Sequence, residues 1–275
     1  MSYSIDLSSQ VVLVTGGTQG IGHAIVEKML CAGARVAFCA PDQLECDQVV
    51  AAFNREFEFG EERVIGLAGD LRDRESLTSF VNSVLARWGK IDTLVCNATV
   101  FGVQCEIEDA SCEGFAHLLE SNLVNNFHLC RLVLPQMQAL GAGSIIFITS
   151  ISGFSAMPTN IPYSSSKAAL TSMARSLAAK YADQGIRVNC ISPGLIRTEG
   201  SRSAWENEEA ASSFVREKIP MQRIGQPSEI ADACVFIASP QASYITAATL
   251  PVDGGRVGVG QSSGSTAQIQ KPKTS

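Results

Sequence analysis

Val11-Val12-Leu13-Val14 runs directly into Thr15-Gly16-Gly17-Thr18-Gln19-Gly20-Ile21-Gly22, and His23 to Ala32 then carries apolar residues at helical spacing before Gly33. This order of apolar run, glycine-rich turn and periodic segment constrains the fold more than any other feature. Apolar residues in an unbroken short run describe a strand buried on both faces, as in a parallel sheet. Parallel strands need crossover connections, so alternating strands and helices should follow. The turn also suits an anion. Without side chains, its backbone N–H groups can approach a pyrophosphate, and the N-terminus of the next helix favours negative charge. Any tight α/β turn can use glycine; placement between the first strand and first helix favours a dinucleotide.

The rest of the chain continues the alternation. Strands are predicted near 10–15, 35–40, 63–68, 91–96, 144–149, 186–191 and 248–252, with the longest helices at 112–139 and 162–183. This implies one α/β domain over 1–255, a doubly wound parallel sheet of seven strands with right-handed crossovers. Residues 256–275 lose periodicity and turn polar, reading as a mobile tail. With 45% hydrophobic residues, the 275-residue chain can cover such a sheet on both faces.

Charge and cysteine usage exclude several classes. A net charge of −6 offers no basic face for nucleic acid or an anionic membrane. No apolar run approaches the ~18 residues of a membrane span. Met-Ser-Tyr-Ser-Ile-Asp-Leu lacks the basic and apolar regions of a signal peptide. Nine scattered cysteines, none in a C-x-x-C pair, read as reduced thiols of a cytoplasmic protein. Three histidines without ligand spacing predict no metal.

Two features carry chemistry. Tyr163 and Lys167 are four residues apart in Tyr-Ser-Ser-Ser-Lys, so a helix places phenol and ammonium on one face. A neighbouring cation should lower the phenol pKa from ~10 and make Tyr163 a proton donor and acceptor near neutrality. Ser150 follows the run Ser144 to Thr149, at the carboxyl end of a strand that faces the ligand crevice. A helix or loop cap is the plainer reading of Ser150 alone.

Taken together, these residues resemble the short-chain dehydrogenase/reductase family from about Leu7 to Gly255, notably its 3-oxoacyl-thioester reductase and carbonyl reductase members. The matching segments are Thr15 to Gly22, Asn97-Ala98, Asn122, the set Ser150, Tyr163 and Lys167, Asn189 to Thr198, Arg223 to Ala231, and Val252-Asp253-Gly254-Gly255. The resemblance implies a Rossmann fold and hydride transfer between a nicotinamide dinucleotide and a carbonyl or alcohol. Tyr163 would be the acid or base, and Ser150 would hold the carbonyl oxygen. Lys167 would tune Tyr163 and bind the nicotinamide ribose, and Asn122 would orient a water linking Lys167 to solvent. Gly16, Thr18, Gln19, Gly20, Ile21 and Gly22 would hold the pyrophosphate, with Asp70 and Leu71 at the adenine. Asn97, Ala98, Pro193, Gly194, Ile196 and Thr198 would line the nicotinamide half.

Cofactor choice turns on the end of the second strand. NAD-dependent relatives place a carboxylate there for the ribose hydroxyl, and this chain has Ala40 followed by Pro41. Asp42 could turn towards the ribose or cap the next helix. The missing carboxylate favours NADP(H) over NAD(H). Thr99 stands where the family has glycine after Asn-Ala, and Ala247 replaces another usual glycine.

Segments 99–111, 151–161 and 195–220 should surround the nicotinamide. They offer Phe101, Phe154, Met157, Ile161, Leu195, Trp205 and Phe214 as pocket walls, suiting a small or medium, mostly apolar substrate. Ala139 to Gly143 and Tyr181 to Gly185 carry no Lys or Arg for an acidic carrier protein. A homologue that binds dinucleotide without redox turnover is the alternative class. By analogy with the family, the two long helices should pair subunits into a homotetramer or homodimer.

Overall fold

The computed structural model describes residues 4–57, 62–155 and 157–258; the tail expected over 256–275 therefore falls, from 259 onward, outside the described residues. Among the described residues seven strands, β1 (Val11–Thr15), β2 (Arg35–Ala40), β3 (Val64–Ala68), β4 (Thr93–Cys96), β5 (Gly143–Ile148), β6 (Ile186–Pro193) and β7 (Thr249–Val252), alternate with helices. The helices are α1 (Gly20–Cys31), α2 (Gln43–Phe57), α3 (Arg74–Trp88), α4 (Cys112–Leu119), α5 (Asn125–Leu140), α6 (Ile161–Tyr181), α7 (Glu208–Lys218) and α8 (Pro227–Ala238). The strands form one sheet in the order β3-β2-β1-β4-β5-β6-β7, and every pairing is parallel.

The buried pattern of β1 explains the two-layer cover. Val12 and Val14 face one core with α1 and α8, whereas Val11 and Leu13 face the other with α3, α5 and α6. A strand wet on neither face has no reason to alternate in polarity, which is why the run reads as continuously apolar. Sequence order reverses across β1 and β4, and ligands of open α/β sheets bind beyond the strand ends at such a switch. The carboxyl ends of β1, β4, β5 and β6 bring the glycine turn, Asn97, Ser150 and Pro193 to that edge.

One expected element divides. The helix predicted over 112–139 is α4, then a π-helical segment at Glu120–Val124, then α5. A π turn accommodates a residue too many for the i→i−4 ladder. Here Ser121, Asn122, Asn125 and Asn126 are buried polar residues, and the Asn126 amide donates to the Asn122 carbonyl at 2.8 Å. Side-chain groups competing for helix carbonyls disfavour a regular ladder.

Candidate active site

The glycine turn is built for close approach. Gly16 and Gly20 have φ of 71° and 56°, where residues with a Cβ are strained. A Cβ on Gly22 would lie 1.8 Å from the Gly16 carbonyl oxygen, and one on Gly17 would lie 2.4 Å from the Phe38 Cβ. Gln19 leads into α1 without capping it, and the first turn of α1 holds no acidic residue. By contrast, Asp73 and Ser111 cap α3 and α4 with their side chains. The first N–H groups of α1 thus keep the capacity to bind an anion, and the cradle fits a dinucleotide pyrophosphate. Thr198, in the segment that follows β6, borders it, its Cγ2 3.3 Å from where a Gly20 Cβ would stand.

Asn97 acts on this turn through protein contacts. Its Nδ2 donates to the Thr15 and Gly16 carbonyls at 2.9 and 3.0 Å, and the Asn97 and Ala98 N–H groups both donate to Thr15 Oγ1. Ala98 packs on Gly16. Gly194 is tight against Asp253, 2.7 Å from a hypothetical Cβ to the Asp253 Cα. Ile196 is buried, and Thr18 and Ile21 flank the turn half-buried. Ala40 ends β2 beside Ala68. Asp42 Oδ1 accepts from the Leu44 N–H at 2.7 Å, so this carboxylate caps α2. Asp70 is gripped by Arg72, with Nε–Oδ1 at 3.0 Å and Nη2–Oδ2 at 2.7 Å, and this guanidinium holds its carboxyl below the usual range. Leu71 is buried beside it.

Ser150, Tyr163 and Lys167 converge at the end of β5. Ser150 Oγ accepts from the Ser152 N–H at 3.1 Å and the Ser152 hydroxyl at 2.9 Å. Ser150 also lies close enough to the Tyr163 side chain to favour the phenolate. Lys167 is buried, donates to the Ile148 carbonyl at 2.9 Å, and lies 5.5 Å from the Tyr163 ring centroid. Asn122 is also buried. Its Oδ1 accepts from the Val100 N–H at 2.8 Å, and its Nδ2 donates to the Val100 carbonyl at 2.7 Å and the Ser166 hydroxyl at 3.3 Å.

The electrostatics differ from the expectation of a lowered tyrosine. Burial pushes the Tyr163 phenol up to about 12, only partly opposed by Ser150. Burial likewise pushes Lys167 down to about 8, with Cys190 and Cys96 acting weakly the other way. Desolvation disfavours both charged forms, and the Lys167 ammonium donates to the Ile148 carbonyl.

Two contributors escaped the sequence reading in part. Asn160 caps α6: its Oδ1 accepts from the Tyr163 N–H at 3.3 Å, while Nδ2 donates to the Phe101 carbonyl at 2.8 Å. Asn160-Ile161-Pro162 has the form of an N-cap followed by an early proline, a legible signal. Phe101, expected as a wall, stacks on Tyr163 itself. Trp205 folds its Nε1 onto the Thr198 carbonyl at 3.2 Å, and Phe214 lies under Arg256. A cavity of about 110 Å³ opens between Val103, Ile107, Phe115, Pro158 and Ile161. A larger one, about 380 Å³, lies between Leu195, Met221 and Gly254, and Ser150, Tyr163 and Lys167 are not among its lining residues. Among the described residues there is no cluster of three metal-ligating side chains and no helix long and apolar enough to cross a membrane.

A parallel sheet with this glycine turn and this serine–tyrosine–lysine cluster at its carboxyl edge defines an α/β oxidoreductase. A family model described as Enoyl-(Acyl carrier protein) reductase matches residues 16–256. Dehydrogenase/reductase SDR family member 4 of Mus musculus is 35% identical over 249 residues, covering 90% of this chain and 88% of its own. L-fucose dehydrogenase of Mus musculus is 37% identical over 255 residues, with coverage of 90% and 88%. The structure of a 7α-hydroxysteroid dehydrogenase complexed with NADH and 7-oxo glycochenodeoxycholic acid is similar with a TM-score of 0.86 at 30% identity, covering 94% of this chain and 98% of that one. The chain belongs to the short-chain dehydrogenase/reductase family and is an NAD(P)-dependent oxidoreductase of carbonyl and alcohol groups.

Proposed function

We propose that this enzyme interconverts a ketone and a secondary alcohol on a small or medium, mostly apolar substrate, with Tyr163 as acid in reduction and base in oxidation, and that it prefers NADP(H). The convergence of Ser150, Tyr163 and Lys167 at the carboxyl end of β5 carries this reading: Lys167 is held by the Ile148 carbonyl and lies 5.5 Å from the Tyr163 ring centroid, and Ser150 is near enough to favour the phenolate. When bound, the nicotinamide supplies or accepts the hydride. Tyr163 delivers the proton to the oxygen, and Ser150 orients and polarises the carbonyl. Lys167 stands beneath the phenol as a buried donor for a ribose hydroxyl and for the proton's return path. Asn122 contributes through Val100, fixing the loop that follows β4.

Gly16, Thr18, Gln19, Gly20, Ile21 and Gly22 would bind the pyrophosphate, Asp70 and Leu71 the adenine. Asn97, Ala98, Pro193, Gly194, Ile196 and Thr198 would shape the nicotinamide half. The preference for NADP(H) is supported by Ala40, which cannot repel a 2′-phosphate, and by the engagement of Asp42 in helix capping. The apolar substrate is supported by Phe101, Val103, Ile107 and Phe154, exposed on the segments after β4 and β5, and by Ile161, exposed at the start of α6.

Exposed Phe127 on α5, with Leu250 and Tyr244 beside and on β7, supports assembly into a homotetramer. Sedimentation as a monomer at micromolar concentration would reject that assembly. Nine free thiols agree with a reducing, cytoplasmic setting. The function is tested by following oxidation of NADPH and NADH separately against a panel of ketones, ketoesters, quinones, sugars and steroids. Faster NADPH oxidation with apolar ketones is expected. Failure of every substrate with both dinucleotides would overturn the proposal.

A further inference from the structure

The π-helical turn and the first residue of α5 hold both cofactor loops at once. Asn122 binds Val100 after β4 on both backbone groups. Three residues on, Asn125 is 1% exposed and its Nδ2 donates to the Leu71 carbonyl, after β3, at 2.7 Å. Arg74 Nε donates to Asn125 Oδ1 at 2.9 Å, and the Arg74 guanidinium also pairs with Glu120 at the start of the π turn. Residues i and i+3 share a helix face, so one short segment governs the spacing of two loops that belong to different strands. A buried amide with both ends bonded is costly to disturb, because each partner left alone keeps its desolvation cost. A mid-helix Asn-Asn pair is otherwise disfavoured. The Asp70 N–H donates to the Ser76 hydroxyl and Arg72 grips the Asp70 carboxylate, so Asp70 is fixed relative to the same loop.

We propose that Asn125 is a positioning residue for the adenine half of the dinucleotide, acting through the Leu71 carbonyl. The proposal rests on the reading of Asp70 and Leu71 as adenine contacts. It separates two roles on one helix face: Asn122 sets the nicotinamide-side loop and Asn125 the adenine-side loop.

The test is titration calorimetry of the full chain and of Asn125→Asp and Asn125→Ala with two probes, 5′-AMP and nicotinamide mononucleotide. Asn125→Asp keeps an acceptor for Arg74 and loses the donor to Leu71, so it decides the matter if the alanine variant fails to fold. The Kd for 5′-AMP should rise about tenfold, the effect of about one hydrogen bond. The Kd for the mononucleotide should change by less than about twofold on the same scale. Equal weakening of both probes would indicate a merely structural role and overturn the proposal, as would 5′-AMP binding that does not change. If the unsubstituted chain binds neither probe, the dinucleotide reading itself fails, a distinguishable result that sinks this proposal with it.

Discussion

The ring of Phe101 stacks on that of Tyr163, with 5.1 Å between centroids and 22° between planes. Asn160 fixes the pair from below by holding the Phe101 carbonyl and the Tyr163 N–H together. Phe101 is 48% exposed, so the phenol is covered on one face by a ring that itself meets solvent. The loop after β4 therefore orients the acid as well as walling the pocket.

Truncating Phe101 should loosen the phenol without touching the dinucleotide cradle. Stacked pairs contribute about 0.5–1.5 kcal/mol, so Phe101→Ala should lower kcat/KM about 2- to 13-fold. Steady-state kinetics with a ketone should show this while the Kd for dinucleotide is unchanged.

Asn160→Ala removes the cap of α6 and leaves the Phe101 carbonyl without its donor. Loss of an Asn cap costs about 0.5–2 kcal/mol. Urea unfolding should show a loss in that range with an unchanged m-value, and kcat should fall with it. Stability equal to the parent would mean that the cap contributes nothing.

Lys167 titrates at about 8 in the folded chain against an ordinary value of 10.5. Burial penalises its charge fully below pH 8. Between about pH 8 and 10.5 the unfolded chain keeps a proton that the fold has lost, so this group makes stability rise with pH. Tyr163, raised to about 12, contributes a fall instead, from about pH 10 upward. Comparing the parent with Lys167→Met isolates the lysine: the parent should gain unfolding free energy relative to the variant from pH 8 to 10. The rate of ketone reduction should decline above about pH 8 as the ammonium is lost. A flat difference in stability across this window would contradict the buried charge.

Gly22→Ala places a methyl 1.8 Å from the Gly16 carbonyl oxygen and 2.5 Å from Asn97 Nδ2. Backbone must move, and Asn97 is the brace of the turn. Gly89 has a φ of 76° with open space around it, so Gly89→Ala should cost only about 1 kcal/mol. Thermal unfolding should show a several-fold larger loss for Gly22→Ala, together with loss of dinucleotide binding.

The sheet was legible because buried parallel strands announce themselves: the seven segments read from apolar runs lie within two residues of β1 to β7 at either end. The glycine turn was legible because Gly16, Gly20 and Gly22 each answer a local steric demand. The break at Glu120–Val124 was not, since apolar periodicity runs through it, and neither the Asn126 bond to the Asn122 carbonyl nor the Asn122 bond to the distant Val100 can be read from spacing. Nor was the rise in the Tyr163 pKa. Spacing puts Lys167 on the same face, but only the fold reveals that both side chains are buried and that the ammonium is aimed at the Ile148 carbonyl. Phe101 was read as a pocket wall; its contact with the acid required knowledge of where Asn160 reaches.

Parallel measurement of ketone turnover and dinucleotide affinity in Tyr163→Phe tests the central claim, that the Tyr163 hydroxyl carries the proton. Turnover should fall by at least about 10²-fold, the lower end of what a positioned acid supplies, with dinucleotide affinity preserved. Turnover close to that of the parent chain would contradict the role assigned to the phenol.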